Sequence, residues 1–360
     1  MKKKNVFIAT VLATLFSCAL TGCEKSPAPE QAQEVTRIQG KGMGTFYAIT
    51  VPGGYPGGEV ALKTVAEKTI KDISDAISSF DKNSEIYKFN AWKSKDPFPI
   101  SDRLAYYVEE ATHQGLRIDF AMDISIGPLV NLWGFGKDKK LERIPTEEQI
   151  ANAKEYIGRD KYEVRHTPNG ALLIKKDPRM EIDLSTVGEG LGVDEIAAIL
   201  DRNGIRNYLV SIAGASRSKG LNPNGRFWKI GIEDPTDPDH RIFTTVCPLD
   251  QAMSTSGSYR NFFKDDASGK IFSHAIDPKT GHPVSHETLS VTVIDRSAFV
   301  TDAIDTGLLV MGADKALEWA DRNQVAIYTI ESKDGKPVGR ASKAFEKYLK
   351  CSQNNTAAAQ

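Results

Sequence analysis

The sequence predicts an α+β fold in which helices pack against mixed or antiparallel sheets. Strand-like and helix-like segments both recur along the 360 residues, but they do not alternate strictly as a doubly wound parallel sheet requires. Hydrophobic residues make up 40% and charged residues 26% of the chain, as in ordinary globular proteins. No internal linker or repeat divides residues 36–350, so we expect one continuous catalytic unit there.

The first half of this unit contains clear strand and helix signals. Residues 44–51 alternate as a strand, and apolar residues from Leu62 to Phe80 follow helical spacing. A second helix begins at the capping residue Ser101 and ends at Gly115. The motif TEEQ is a capping box that begins a third helix at residue 146.

The second half adds a hairpin, further strands and two helices. The hairpin turns at Asn169-Gly170, and the helix at residues 193–204 ends at Gly204. Another helix is expected at residues 313–323. Strands are expected at residues 207–212, 227–233, 271–276, 289–294 and 325–330.

The N-terminal segment predicts export and a lipid anchor. Three lysines precede an apolar run from Val6 to Leu20, which is short for a bilayer span and has the layout of a secretory signal. The run leads into LTGC, which resembles a bacterial lipobox whose cysteine, here Cys23, is lipidated. We therefore expect a lipoprotein signal peptide at residues 1–22 and a flexible tether at residues 23–35.

Charge and cysteine content narrow the possible partners. The net charge is -1 and no basic patch stands out, so nucleic acid is not an expected partner. Cys247 and Cys351 lie far apart in the sequence, and we expect no structural disulfide between them. Residues 351–360 have the composition of a disordered tail.

Residues 299–312 predict a buried helix that carries two carboxylates. Asp302, Asp305 and Thr306 lie at positions i, i+3 and i+4, and therefore on one face. Carboxylates that share an apolar face repel each other unless a cation lies between them. Two carboxylates and a hydroxyl suit Mg²⁺, which usually completes its shell with waters and substrate phosphates. The helix therefore points to a phosphate-bearing ligand.

A second segment, residues 181–200, has the form of a phosphate-binding turn. Asp183 is expected to end a strand, and Gly188, Gly190 and Gly192 to open a turn before a helix. Such a turn can present backbone N–H groups to a phosphate. A simple tight turn explains the glycines equally well.

Two further segments contain polar residues in apolar surroundings. His274 is expected on a strand, near the hydroxyl-rich residues 253–263, which suit a polar pocket. Asp123 precedes an apolar helix within residues 121–136. Taken singly, each segment is also explained by structural packing.

In this order the segments resemble the bacterial FAD:protein FMN transferases of the ApbE family. The resemblance extends from about Gly42 to Tyr348 and rests on seven blocks. These blocks are MGTFYAITV, SSFDKNSEIYKFN, DISIGPLVNLWGFG, DLSTVGEGLGVD, STSGSYRNFF, SHAIDPKTGHPV and TDAIDTGLLVMG. It implies that FAD is cleaved at its pyrophosphate, that FMN is joined to a Thr or Ser hydroxyl of a protein, and that AMP leaves. It also implies Mg²⁺ and periplasmic acceptor domains of Nqr- and Rnf-type redox pumps.

The resemblance further implies site residues. The metal ligands are Thr186, Asp302, Asp305 and Thr306. The FAD contacts are Met43, Phe80, Ala121, Met122, Asp123, Asp183, Glu189 and Ile276. His274 is the candidate general base toward the acceptor hydroxyl, or a phosphate contact. Two positions depart from the family pattern: many members have Lys at position 189, and many have Gly-Gly where this chain has Ala213-Gly214.

Two other functions remain open on the sequence. Water in place of the acceptor hydroxyl would make the chain an Mg²⁺-dependent FAD pyrophosphatase that yields FMN and AMP. A flavin-binding lipoprotein without chemistry is the second alternative. We expect the chain on the periplasmic side of the inner membrane, with the outer membrane as the alternative, because no Asp follows Cys23 as a retention signal.

Overall fold

The computed structural model describes residues 34–137, 144–259, 261–265 and 269–350. The predicted signal peptide, Cys23, nearly all of the predicted tether and the C-terminal tail lie outside the described residues. In the ranges that are described, no helix has both the length and the apolarity needed to cross a bilayer.

The strands form one large sheet and three small ones. The strands in chain order are β1 (Val35–Gly42), β2 (Thr45–Pro52), β3 (Phe98–Ile100), β4 (Tyr162–Thr167), β5 (Gly170–Lys175), β6 (Tyr208–Ile212), β7 (Ala215–Lys219), β8 (Ile230–Glu233), β9 (Ile242–Val246), β10 (Ala252–Gly257), β11 (Phe262–Lys264), β12 (Ile271–Ser273), β13 (Thr288–Asp295), β14 (Ala326–Lys333) and β15 (Lys336–Ala341). The large sheet has the order β1-β2-β6-β7-β10-β13-β14-β15, with every neighbouring pair antiparallel. The small sheets are β3-β5-β4, β8-β9 and β11-β12.

The helices lie between and beside these strands in sequence. They are α1 (Gly58–Ile77), α2 (Glu85–Ala91), α3 (Asp102–Arg117), α4 (Gly127–Leu132), α5 (Glu147–Lys154), α6 (Gly188–Arg202), α7 (Ala298–Met311), α8 (Ala313–Asn323) and α9 (Glu346–Leu349). A short 3-10 turn, Ser185–Val187, leads directly into α6.

The two faces of the large sheet are covered differently. On one face α6 packs on β6 and β7, and α7 packs on β10, β13 and α6. Val293 of β13 points into this helix-covered core, whereas its neighbour Ile294 packs on the other face with Tyr328 and Phe345. Successive residues of a strand point to opposite faces, so apolar residues at successive positions bury both faces of β13. The sheet therefore presents α7 and α6 side by side over its central strands.

The predicted fold class is confirmed, as are several local signals. The predicted helix caps form: the Ser101 hydroxyl accepts a hydrogen bond from the Leu104 amide, and Thr146 and Gln149 form a capping box. The predicted hairpin turn lies between β4 and β5.

Three local expectations were wrong. Gly188, Gly190 and Gly192 lie within the first turns of α6 rather than in a turn before it. Asp183 follows no strand, because Glu181 makes only an isolated bridge to Ile126. His274 lies one residue beyond the end of β12, not on it.

The expectation of no structural disulfide was also wrong. Cys247 is disulfide-bonded, and its partner cysteine lies outside the described residues. The Cys247 amide donates a 3.0 Å hydrogen bond to the Tyr348 carbonyl, because the C-terminal helix α9 returns to β9. Sequence separation alone does not reveal this return.

Candidate active site

The buried carboxylates of α7 form the centre of the candidate site. Asp302 is 7% exposed and Asp305 is fully buried, and both face the neighbouring elements β10 and α6. Ser297 caps the N-terminus of α7, because its hydroxyl accepts a hydrogen bond from the Val300 amide. The predicted pairing of two acids on one face of a buried helix is therefore present.

The start of α6 donates directly to one of these acids. The Gly190 amide, in the first turn of α6, donates a 2.7 Å hydrogen bond to Asp302 Oδ2. First-turn amides have no partner within their own helix, so they bind anions well. A methyl group on Gly190 would lie 2.3 Å from the Ala298 carbonyl oxygen. The glycine thus lets α6 approach α7, which is a packing role and not the turn that the sequence predicts.

Two serines of β10 complete the surroundings of the acids. Ser254 Oγ donates to Asp302 Oδ1 at 3.2 Å, and Ser256 Oγ donates to Asp305 Oδ1 at 2.9 Å. Residues two apart on a strand share a face, so both hydroxyls point toward α7. This segment is hydroxyl-rich in the sequence, but neither serine was predicted as a site residue. The alternation of Ser254 and Ser256 was the available signal.

The two threonines predicted as metal ligands join the same cluster. Thr186 Oγ1 donates to Thr306 Oγ1 at 3.1 Å, and Ser256 Oγ lies 2.7 Å from Thr306 Oγ1. Thr186 stands in the 3-10 turn just before α6. The structure therefore brings together Thr186, Asp302, Asp305 and Thr306.

Burial strongly disfavours ionisation of both acids. Burial raises the pKa of Asp305 to about 7, with a further contribution from the charge of Glu189. The pKa of Asp302 rises well above its ordinary value, first through burial and then through the charge of Asp305. Two buried carboxylates at this spacing need a positive charge to remain ionised together at neutral pH.

One oxygen in the cluster has no hydrogen-bond partner. Asp305 Oδ2 is buried, and no donor among the described residues reaches it. Buried polar atoms are nearly always paired, so an unpaired carboxylate oxygen suits a cation. Among the described residues no three His, Cys, Asp or Glu side chains converge as a metal-binding group. A cation held by Asp302 and Asp305 would therefore need hydroxyls, waters or a ligand's phosphates as well.

Glu189 adds a third carboxylate beside the cluster. Glu189 Oε2 accepts a 3.0 Å hydrogen bond from the Gly214 amide in the β6–β7 turn. Ala213 in that turn has a φ of 43°, a left-handed conformation that favours glycine. Ala213 adopts this conformation despite its side chain.

Two of the predicted FAD contacts on the chain's first half, Met43 and Met122, lie against the helices that form the acid cluster. Met43 lies over the start of α6, with its Cε 2.9 Å from where a Gly188 Cβ would stand. Gly307 of α7 lets the Met122 backbone approach, since an added Cβ would lie 3.0 Å from the Met122 amide nitrogen. Ala121 lines a cavity of about 370 Å³ together with Asp277.

Asp123 and Asp183 are tied into the backbone around the site. Asp123 is buried, its Oδ1 accepts bonds from the Ser125 amide and hydroxyl, and burial raises its pKa. The Asp183 amide donates to the Ile124 carbonyl, and its carboxylate accepts from the Ser185 amide. These bonds join the 121–124 loop to the start of α6.

Phe80 offers an exposed aromatic ring near Asp183. It is 52% exposed and lies beyond the end of α1. Phe80 and Asp183 line one cleft together with Tyr87 and Lys137. An aromatic face at the mouth of a polar cleft suits stacking of a planar ring.

His274 stands at the base of the β11–β12 hairpin. Its backbone amide donates to the Asn261 carbonyl, and its Nδ1 lies 3.0 Å from the same oxygen. Burial lowers its pKa. Because a carbonyl only accepts, Nδ1 carries the proton in the neutral ring and Nε2 is left as an acceptor. Within the described residues its hydrogen bonds go to Asn261 and not to the acid cluster.

Ile276 lies close to His274 but belongs to a different environment. It is buried with Trp133 and Phe272, and it bridges to Pro283. Ala275, between the two residues, packs in the core that also contains Val187 and Ala303. The chain from His274 to Ile276 thus lies between the acid-bearing elements and a smaller core under the hairpin.

Comparisons with known proteins identify the family of this chain. The ApbE family profile matches residues 43–329. The FAD:protein FMN transferase of Escherichia coli K12 is 38% identical over 349 residues, which cover 96% of this chain and 98% of that protein. The corresponding transferase of Haemophilus influenzae is 36% identical over 356 residues, covering 96% of this chain and 98% of that protein.

Solved structures with the same fold carry related names. The flavin transferase ApbE from Vibrio cholerae superposes with a TM-score of 0.78 at 35% identity, covering 88% of this chain and all of that one. The apo flavinyl transferase ApbE of Pseudomonas stutzeri gives 0.79 at 31% identity, covering 88% and 97%. The resemblance found in the sequence is confirmed, and so is the prediction of an enzyme. This chain belongs to the ApbE family.

Proposed function

We propose that this chain transfers FMN from FAD to a Thr or Ser hydroxyl of an acceptor protein, with Mg²⁺ as cofactor and AMP as leaving group. The observation that carries the proposal is the buried pair Asp302 and Asp305, with its unpaired oxygen, in a chain of this family. The names of its relatives supply the reaction class.

The cluster suits a magnesium ion. Asp302, Asp305, Thr306 and Thr186 would hold it, and Ser256 would orient Asp305 through its 2.9 Å hydrogen bond. Bound there, Mg²⁺ would neutralise charge on the phosphate oxygens of FAD. The raised pKa values of the acids support this assignment, because a cation would remove the mutual repulsion that burial amplifies.

The surrounding residues suit the remaining parts of FAD. The exposed Phe80 ring suits stacking on an aromatic system, and Met43 covers the start of α6. The Asp123 carboxylate accepts a hydrogen bond from the Ser125 amide, and the Asp183 amide donates one to the Ile124 carbonyl. These two bonds fix the loop at residues 121–124. We assign binding of FAD to this surface.

The transfer step requires only one displacement at phosphorus. The acceptor oxygen bonds to the phosphorus of the FMN half, and the bond from that phosphorus to the bridging oxygen breaks. AMP leaves with the bridging oxygen, and the hydroxyl proton passes to His274 Nε2. The Asn261 carbonyl supports this role, because it holds the Nδ1 proton and so fixes the tautomer.

We also propose that the chain acts at the periplasmic face of the inner membrane as a lipoprotein anchored through Cys23. The support is the lipobox-like LTGC sequence after a short apolar run. Acceptor domains of Nqr- and Rnf-type pumps would then be within reach. Labelling of the chain with a radioactive fatty acid, lost in Cys23→Ser, is the expected result.

The transfer itself is tested by mass spectrometry. Residues 24–360 are incubated with FAD, Mg²⁺ and the periplasmic domain of an Nqr-type FMN-bearing subunit. A gain of one FMN on the acceptor, abolished by EDTA and by Asp305→Ala, is expected. AMP and free FMN without acceptor labelling would indicate the pyrophosphatase. Intact FAD throughout would indicate a binding protein.

A further inference from the structure

Hydrogen bonds join α6 and the 3-10 turn before it to α7 at three points, about one helical turn apart. We propose that Asp194, which makes the contact farthest from the acid cluster, is the positioning residue that sets the register of α7 against α6 and thereby the spacing of the metal ligands. This inference rests on the proposed function, since it concerns the affinity of that site for Mg²⁺.

The first two contacts are made by groups that we assign to the metal. Thr186 Oγ1 donates to Thr306 Oγ1 at 3.1 Å, and the Gly190 amide donates to Asp302 Oδ2 at 2.7 Å. A bound cation would compete for these same side-chain oxygens, because carboxylates and hydroxyls are oxygen ligands. Neither contact therefore holds the two helices together independently of the metal.

The third contact is made by the carboxylate of Asp194. Asp194 lies four residues after Gly190 and therefore on the same face of α6. Its Oδ2 accepts a 2.7 Å hydrogen bond from Ser297 Oγ and a 3.0 Å hydrogen bond from the Phe299 amide. First-turn amides lack a partner in their own helix, and a negative charge at a helix N-terminus is favourable. One carboxylate oxygen thus fixes the start of α7 on α6.

The second carboxylate oxygen ties this contact to the large sheet. Asp194 Oδ1 accepts a 2.8 Å hydrogen bond from Nη1 of Arg217, on β7. The two side chains are only 21% and 27% exposed, so water and salt screen their charges less than those of a surface pair. In the sheet β7 pairs with β10, which carries Ser254 and Ser256. Asp194 therefore joins α6 and α7 to the sheet that supplies the two serines of the cluster.

This tie acts on the metal site from a distance. A helix rises about 1.5 Å per residue, so Ser297 and Phe299 lie about 8 Å along the axis of α7 from the two acids. Mg²⁺ demands nearly ideal octahedral geometry, with oxygens at about 2.1 Å. Thr186 comes from the turn before α6, whereas Asp302 comes from α7. A small shift of α7 along α6 would therefore spoil the ligand spacing.

A second ion pair between α6 and β7 provides a matched control. Asp201 Oδ1 accepts a 2.8 Å hydrogen bond from Nζ of Lys219, so this pair joins the same helix to the same strand. Asp201 lies about 10 Å beyond Asp194 along α6, past the start of α7. Its removal takes an acid and an ion pair from α6 without touching the contact that fixes α7.

The first test measures the Kd for Mg²⁺ by calorimetry on the full chain and its variants. Asp194→Ala should raise the Kd about tenfold, as expected when a group that orients metal ligands is lost. Asp194→Asn loses the charge that binds Arg217 and keeps only one acceptor oxygen, so it should raise the Kd by a smaller factor. Asp201→Ala should leave the Kd unchanged.

The second test separates positioning from a general loss of structure. FMN transfer to the Nqr-type acceptor domain is followed as the Mg²⁺ concentration is varied. In Asp194→Ala the apparent KM for Mg²⁺ should rise about tenfold, while kcat at saturating Mg²⁺ stays within about twofold of wild type, because the bound ion draws its ligands together. A purely structural role would instead lower the amount of active protein, and hence kcat, in Asp201→Ala as well.

The outcomes distinguish this inference from the proposed function. An unchanged Kd for Mg²⁺ in the Asp194 variants, or an equal loss of affinity in Asp201→Ala, overturns the inference and leaves the metal site standing. If Asp194→Ala does not fold, Asp194→Asn decides by the same criterion. A wild-type chain that does not bind Mg²⁺, or an Asp305→Ala variant that binds it equally well, overturns the metal assignment and this inference together.

Discussion

Replacing Asp305 by asparagine tests the acid cluster without relying on catalysis. The pKa of Asp305 rises from 3.8 to about 7 in the folded chain. At about 1.4 kcal/mol per pKa unit, an ionised Asp305 costs the metal-free fold about 4 kcal/mol above pH 7. The folded state holds the proton more tightly than the unfolded state does. The stability of the metal-free protein therefore falls as pH rises from about 4 to about 7.

Asparagine removes this cost because it is neutral. The amide oxygen can still accept the Ser256 hydrogen bond, and the NH₂ group takes the place of Oδ2, which no donor among the described residues reaches. Burying this NH₂ group without a hydrogen bond would cost about 1 kcal/mol. In EDTA at pH 8 the free energy of unfolding of Asp305→Asn should exceed that of the wild type by about 3 kcal/mol. At pH 5 the difference should shrink to less than about 1 kcal/mol.

Magnesium should remove most of the difference between the two proteins at pH 8. At a concentration of 100 times its Kd, a bound ion stabilises the wild type by about 2.7 kcal/mol, and it should not stabilise Asp305→Asn. Urea unfolding at both pH values, with EDTA or with Mg²⁺, measures these terms. Glu318→Gln, on the exposed face of α8, serves as the neutral control. A destabilised asparagine variant in EDTA at pH 8, or one that keeps the full magnesium effect, would refute the reasoning.

Three further predictions concern other residues of the candidate site. Gly190→Ala should lower the free energy of unfolding by about 1–2 kcal/mol in chemical denaturation, because the new methyl meets the Ala298 carbonyl and helix propensity offsets only part of the overpacking. Ser256→Ala should weaken Mg²⁺ binding about tenfold in calorimetry without lowering the melting temperature greatly; unchanged affinity would show that the hydroxyl does not orient Asp305. The acid limb of the transfer rate should have its midpoint below pH 6.5, because burial lowers the pKa of His274, and His274→Gln should lack that limb.

Much of the fold was predictable because local signals agree with the final structure. The Ser101 cap, the capping box at Thr146 and the turn at Asn169-Gly170 each act within a few residues, so the chain around them already contains the information. The role of Gly190 was not predictable in this way. Gly190 is needed because the Ala298 carbonyl of α7 lies too close for a side chain. A tight turn and a close contact between helices both favour glycine, so the sequence does not distinguish them.

In the candidate site, too, local spacing predicts some contacts, whereas contacts between distant segments are not predictable. Asp302, Asp305 and Thr306 share a helix face, so their proximity follows from spacing alone. Ser254 and Ser256 enter the site only because β10 lies beneath α7, and no local pattern reports that neighbour. The disulfide of Cys247 was missed for a similar reason, since a disulfide depends on which cysteines the fold brings together.

The acid cluster is formed by three segments that lie far apart in the sequence, so it can form only late in folding. The Gly190–Asp302 bond joins residues 112 positions apart, and the Thr186–Thr306 bond joins residues 120 apart. A fragment that lacks α7 lacks both carboxylates of the cluster, so the proposed metal site cannot form in a growing or partly folded chain. Under the proposed function, binding of FAD together with Mg²⁺ would therefore follow completed folding, and flavin fluorescence could follow this last step.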